Sequence, residues 1–77
     1  MDYSTLITDA QKQEILNARI QQFASEAYQH NLNKMVAESS GNQEAVVIAD
    51  NSIAILDSAI TVHQAELAKL SVEVPVV

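Results

Sequence analysis

The sequence contains no cysteine and no tryptophan, and it has only one glycine, one proline, two tyrosines and one phenylalanine among 77 residues. The lack of cysteine excludes disulfide bonds and cysteine-based zinc sites, which stabilise many chains of this length. One glycine cannot form a glycine-rich phosphate loop. A single core in a chain below about 80 residues seldom leaves more than about 3–5 kcal/mol of net stability. Because 48% of the residues are apolar, we expect the chain to bury surface against partners, and self-association is the first expectation.

Basic residues are also scarce. Four lysines and arginines stand against ten acids, which gives a formal net charge of −6. Lys12, Arg19, Lys34 and Lys69 are scattered singly, whereas nucleic-acid binding needs a clustered basic face, so direct binding to nucleic acid is not expected. The acids could bind a basic protein surface or imitate the charge of DNA, but their even spread favours ordinary solvation of helix surfaces.

No targeting or membrane segment is predicted. Residues 1–5 include an acid and lack the basic region and the long apolar stretch of a signal peptide. The most apolar stretch, residues 45–62, is interrupted by Asp50, Asp57 and neighbouring polar residues, which makes it a poor bilayer span. We therefore expect a protein that is cytoplasmic at synthesis and does not enter a membrane.

Two helices of nearly equal length are predicted. Thr8 and Gln11 fit a capping box, and residues 9–38 contain no glycine or proline, so the first helix is expected over about 9–38. The break at residues 39–42 includes Gly41, which can close a helix, and the second helix follows over about 43–70. The predicted fold is therefore all-α, an antiparallel two-helix hairpin in a single domain over residues 1–77, with a lead-in at 1–8.

The first helix carries one apolar stripe in steps of three and four residues. Its members are Leu16, Ile20, Phe23, Ala24, Ala27, Tyr28, Leu32, Met35 and Val36. The second helix carries a more regular pattern, because eight of its residues follow strict 3,4 spacing and occupy the a and d positions of a coiled-coil seam. This first seam comprises Val46, Ala49, Ile53, Leu56, Ile60, His63, Leu67 and Leu70.

A second seam runs beside the first on the same helix, with the same spacing. It comprises Ala45, Ile48, Ser52, Ile55, Ala59 and Val62. One interpretation is that both seams form one wide intramolecular face. A lone partner helix covers only a narrow stripe, however, so the double seam favours intermolecular contacts in an oligomeric, coiled-coil-like bundle.

The last seven residues, 71–77, change in character. Val72, Val74 and Val76 alternate with Glu73 and Pro75, which is typical of an extended edge segment. Such a tail could add a strand to a partner sheet, and the alternative is a frayed terminus.

No catalytic, cofactor or metal site is predicted. In the hairpin, His30 would lie level with about residue 52 and His63 with about residue 19, so we do not expect the two histidines to share a site within one chain. No nucleophile, base and acid are brought together by any motif, and an enzyme is not expected. His63 occupies a d position, where the His63 side chains of several chains around a symmetry axis would form a polar layer. The alternative is that His63 is a partly buried histidine with one hydrogen bond.

Three segments, residues 2–8, 11–16 and 65–70, together resemble small uncharacterised helical proteins of tailed bacteriophages. The resemblance spans most of the chain and implies a virion component or an assembly accessory, with the virion as a second location. It carries no residue roles, because no catalytic motif can be matched.

The leading functional hypothesis is a non-enzymatic structural module that binds copies of itself, larger structural proteins, or both. The predicted interface comprises Val46, Ile48, Ala49, Ile53, Ile55, Leu56, Ile60, Val62, His63, Leu67 and Leu70. The alternative is a small acidic inhibitor or regulator that binds a host protein through its carboxylates, and it is motivated by the net charge of −6.

Overall fold

A computed structural model describes residues 3–71 of the chain. A short 3-10 helix at Tyr3–Thr5 precedes two long helices, α1 at Asp9–Ser40 and α2 at Gln43–Ser71. The two helices pack against each other across a two-residue connection, which confirms the predicted all-α hairpin. α1 extends two residues beyond its predicted end and α2 one residue beyond, so Ser71 belongs to α2 rather than to a tail. Val72, Val74 and Val76, the predicted strand-forming residues, lie outside the described residues.

α1 begins at the predicted capping box. The backbone N–H of Gln11 donates to Oγ1 of Thr8 at 3.1 Å, and the backbone N–H of Thr8 donates to Oε1 of Gln11 at 2.8 Å. Two amide donors that no helical carbonyl can satisfy are thereby paired. The first helix therefore starts where its sequence signal places it.

The turn between the helices is closed by Gly41. Its φ of 73° and ψ of 20° lie in the left-handed region, which glycine enters without steric cost. The N–H of Asn42 donates to the carbonyl of Ala37 at 2.8 Å, and the N–H of Gly41 donates to the carbonyl of Glu38 at 3.2 Å, the two bonds of a Schellman motif. Asn42 then caps α2, because its Oδ1 accepts from the N–H of Ala45 at 3.1 Å.

Burial between the helices is greatest beside this turn. Ala37, Val46 and Ala49 are the buried apolar residues of the described chain. Along α1, eight residues that are buried or half-buried form a line with regular 3,4 spacing, and the half-buried Lys12 and Glu26 each adjoin this line. The eight are Gln13, Leu16, Ile20, Phe23, Ala27, His30, Lys34 and Ala37.

The predicted stripe of α1 is therefore correct in its first half and wrong in its second half. Tyr28, Leu32, Met35 and Val36 are exposed, and so is Ala24. The contact line must keep its 3,4 spacing to follow α2, and this spacing leads through the polar residues His30 and Lys34. Tyr28 and Val36 each adjoin a contact position and point about 100° away from it.

Candidate interaction surface

The first seam of α2 faces α1. Val46 and Ala49 are buried, and the remaining six members, from Ile53 to Leu70, are half-buried. His63 contacts α1 directly through Arg19 and Phe23. The structure thus gives the most regular pattern in the sequence an intrachain partner, and any additional contact of these residues with another chain stays a prediction.

The second seam is divided between small, half-buried residues and large, exposed ones. Ala45, Ser52 and Ala59 are half-buried. Ile48, Ile55 and Val62 retain 60%, 71% and 60% of their accessible surface. These three large residues recur every seven positions, so they form one line along the helix, which we call the exposed row.

The two aspartates of α2 lie away from the exposed row. Asp50 is two residues from both Ile48 and Ser52, and Asp57 is two residues from both Ile55 and Ala59, so each points about 200° from these neighbours. Between Ala45 and Val62 the second seam contains no charged residue. Over residues 45–62, α2 therefore has an apolar side and an acidic side on opposite faces, and Glu44 and Glu66 flank the two ends of the apolar side.

One acid on that acidic side is neutralised by α1. Nζ of Lys34 lies 2.8 Å from Oδ1 of Asp50, across the helix interface. The hydrogen bond that Lys34 donates to Asp50, together with the charge of the Asp50 carboxylate, raises the pKa of Lys34 above its ordinary value of 10.5. The pair links the two helices near the turn, and it explains how a lysine occupies a contact position of α1.

His63 is part of an intrachain cluster in the other half of the hairpin. Its Nε2 accepts a 2.9 Å hydrogen bond from Nε of Arg19, and its Nδ1 lies 2.7 Å from the carbonyl oxygen of Ala59. The ring of Phe23 lies edge-on to the imidazole with centroids 5.0 Å apart, and the Arg19 guanidinium carbon lies 5.3 Å from the Phe23 centroid. The expected level of His63 with about residue 19 is confirmed, and the polar layer of His63 copies around an axis stays a prediction.

A groove lies at the open end of the hairpin, between the lead-in and the helix ends. It is bordered by Tyr3, Ser4, Ile7, Lys12, Ile15, Leu16, Glu66, Lys69 and Leu70, and its volume is about 600 Å³. Lys69 is paired with Glu66 at 3.1 Å and Lys12 with Asp9 at 3.8 Å. Sequence reasoning missed this groove, because no periodic signal predicts how a lead-in will fold over a helix end.

Within residues 3–71, no group of three or more histidine, aspartate or glutamate side chains is placed to hold a metal ion. The Gln43–Leu70 part of α2 is long and apolar enough to cross a membrane by length and composition, a test that core helices of soluble proteins also pass. The expectation that α2 does not enter a membrane stays a prediction. No protein-family model, no curated protein and no solved structure matches this chain.

Proposed function

We propose that this protein is a non-enzymatic structural or assembly protein that acts by packing the exposed row of α2 against a helix of another chain. One observation carries the proposal. Ile48, Ile55 and Val62 stand in line on one helix, largely exposed, although their helix already packs α1 with another face. Large aliphatic side chains that stay exposed together on one face of a helix are typical of interaction surfaces in soluble proteins.

The apolar surface on this row is large enough to matter energetically. Full burial of an Ile or Val side chain is worth about 1.5–3 kcal/mol, so burying the remaining exposed fraction of all three gives roughly 3–6 kcal/mol. Association costs an estimated 4–15 kcal/mol in lost freedom of motion, so the row alone is not sufficient. The partner must therefore bury a comparable apolar face of its own. Another helix can supply such a face, whereas a small molecule cannot.

The setting proposed for this activity is a tailed bacteriophage particle or its assembly. Support comes from the resemblance of residues 2–8, 11–16 and 65–70 to small helical proteins of tailed bacteriophages. Such a protein would pack on itself or on larger structural proteins, after cytoplasmic synthesis. Binding to nucleic acid is not part of the proposal, since the four basic residues are scattered.

Packing against protein is proposed over insertion into lipid because of the two aspartates of α2. Asp50 and Asp57 lie near the middle of the helix, and an aspartate at the centre of a membrane span costs about 2.5–3.5 kcal/mol. Asp50 is also paired with Lys34 across the hairpin, so insertion of α2 alone would break this contact.

The competing proposal is an acidic regulator that binds a basic surface of a host protein. Its support is the net charge of −6 and the position of Asp57 on the side of α2 opposite the exposed row. It predicts contacts through the acidic side that weaken as salt is added, because exposed charges are screened. Apolar packing through the exposed row would persist at high salt.

Site-specific photocrosslinking separates the two proposals. A photoreactive amino acid is placed at Ile55 in one variant, at Asp57 in a second and at Ala54 in a third, and each variant is expressed in the native context. The proposal predicts adducts, with any protein, from the Ile55 variant, retained in high salt and absent from the matched Ala54 control. Adducts formed only from position 57 and lost with salt would support the acidic regulator, and no adduct from position 55 would contradict the assembly proposal.

A further inference from the structure

We infer that the occupant of the exposed row is a second copy of this chain, packed antiparallel through the second seam of α2 around a two-fold axis between residues 53 and 54. This inference rests on the proposed function and names its partner. A two-fold interface uses the same patch on both copies, so the patch must be complementary to itself. The second seam satisfies this requirement in size and in charge.

The size match is complete along the seam. In an antiparallel pair, a-type positions of one helix meet d-type positions of the other. About the proposed axis this pairs Ala45 with Val62, Ile48 with Ala59, and Ser52 with Ile55, and the same pairs recur on the other side of the axis. Every small residue therefore faces a large one, which is the alternation that lets facing layers interdigitate.

A parallel copy would not pack evenly. Each residue would then face its own counterpart, so layers of paired alanines or serines would alternate with layers of paired isoleucines or valines. The small layers would leave gaps where the large layers held the helices apart, and unfilled volume in an apolar contact is destabilising. The alternation of small and large residues therefore selects the antiparallel orientation.

The charges of this face lie at its ends. Between Ala45 and Val62 the second seam carries no charge, while Glu44 and Glu66 lie just outside it on the same face, and Asp50 and Asp57 lie on the far side of α2. In the antiparallel pair Glu66 falls level with residue 41 of the second copy, three residues from Glu44, and in a parallel pair each glutamate would lie level with its own counterpart. Both orientations therefore keep charge out of the apolar contact, and the choice between them rests on the size match.

Disulfide trapping tests the orientation, and the absence of native cysteine makes every engineered thiol unique. Three variants are prepared, Ala45→Cys, Val62→Cys and Ala54→Cys, and each is checked for native helix content and for native mass. In the antiparallel pair, residue 45 of one copy faces residue 62 of the other, while the two residues at 45 stand about 26 Å apart. A disulfide needs Cα atoms about 4.4–6.8 Å apart.

The inference predicts that mixing Ala45→Cys with Val62→Cys under mild oxidation gives the mixed disulfide, at about tenfold or greater yield than either variant alone. Mixing Ala45→Cys with Ala54→Cys should give none. A dominant Ala45→Cys self-disulfide would show a parallel pair, and sedimentation of the wild-type chain as a monomer or as a higher oligomer would also overturn the inference. If one of these contrary results were found but the Ile55 variant still formed photocrosslinks, only the inference about the second copy would fail. If the Ile55 variant formed no photocrosslinks, the proposed function would fail as well.

Discussion

The Nε of Arg19 donates a 2.9 Å hydrogen bond to Nε2 of His63, which lies 44 residues farther along the chain. Because Nε2 accepts, Nδ1 carries the ring hydrogen and donates to the carbonyl oxygen of Ala59 at 2.7 Å. Phe23 contacts both side chains. Together with the Lys34 and Asp50 pair, this cluster fixes the register of α1 on α2 and so determines which side of α2 is left exposed.

The first prediction concerns this hydrogen bond. Arg19→Ala and His63→Ala should each lower the free energy of unfolding of the hairpin. The loss in the double variant should be smaller than the sum of the two single losses, by a coupling energy of about 0.5–1.5 kcal/mol. Urea denaturation followed by circular dichroism gives the free energies of unfolding. Arg19→Ala combined with the distant Thr8→Ala serves as the control and should be additive, whereas additivity of the Arg19 and His63 changes would contradict the contact.

The second prediction concerns the turn. Gly41 has a φ of 73°, and a side chain added there would meet no atom within 4 Å. The loss caused by Gly41→Ala should therefore come from backbone conformation alone, at about 1–2 kcal/mol of the free energy of unfolding. Gly41→Asn should lose less, because asparagine tolerates the left-handed region better. Equal stability of the alanine variant and the wild type would show that the turn takes another conformation.

The third prediction concerns the start of α1. Thr8→Ala removes the acceptor for the N–H of Gln11 and should lower the free energy of unfolding by about 1 kcal/mol. Thr8→Ser keeps the hydroxyl oxygen and should lower the free energy of unfolding much less. Thermal unfolding of the two variants side by side measures the difference, and identical melting temperatures would rule out the capping box.

The fourth prediction concerns alkaline pH. Since the Asp50 carboxylate raises the pKa of Lys34 above 10.5, the pair adds stability that is fully present below that ordinary value. The added stability is lost as the pH rises through the raised pKa of Lys34. The difference in free energy of unfolding between wild type and Asp50→Asn should be small, as it is for exposed ion pairs generally. This difference should stay constant near neutral pH and disappear at strongly alkaline pH. A gap that persists after lysine deprotonation would exclude the charge pairing as its cause.

The helix ends could be predicted from the sequence because their signals are local. Thr8, Gln11 and Gly41 each act within a few residues, and the structure places the corresponding cap and turn at those positions. The two seams of α2 could also be recognised from spacing. Which seam meets α1 could not, since both follow the same 3,4 rule and the choice depends on packing between distant residues.

The contact line of α1 was harder to predict for a chemical reason. His30 and Lys34 occupy contact positions although both are polar. A prediction from the spacing of apolar residues therefore selects Tyr28 and Met35 instead. The charge of Lys34 is paired with Asp50 on the other helix, and no local pattern reveals this pairing. The same limit applies to Arg19, whose hydrogen bond to His63 depends on the register of the finished hairpin.

The contact between two copies is tested most directly by the native mass of three proteins, measured by light scattering over a dilution series that starts at about 0.1 mM. The wild-type chain is expected at twice its mass of 8.4 kDa. Ile55→Glu places a charge on the exposed row and should dissociate about tenfold or more readily, because each dimer would bury two unpaired carboxylates. Ala54→Glu adds the same charge to an exposed neighbour off the row and should keep the wild-type mass. A wild-type chain at 8.4 kDa throughout, or equal masses for all three proteins, would contradict the claim that the exposed row joins two copies.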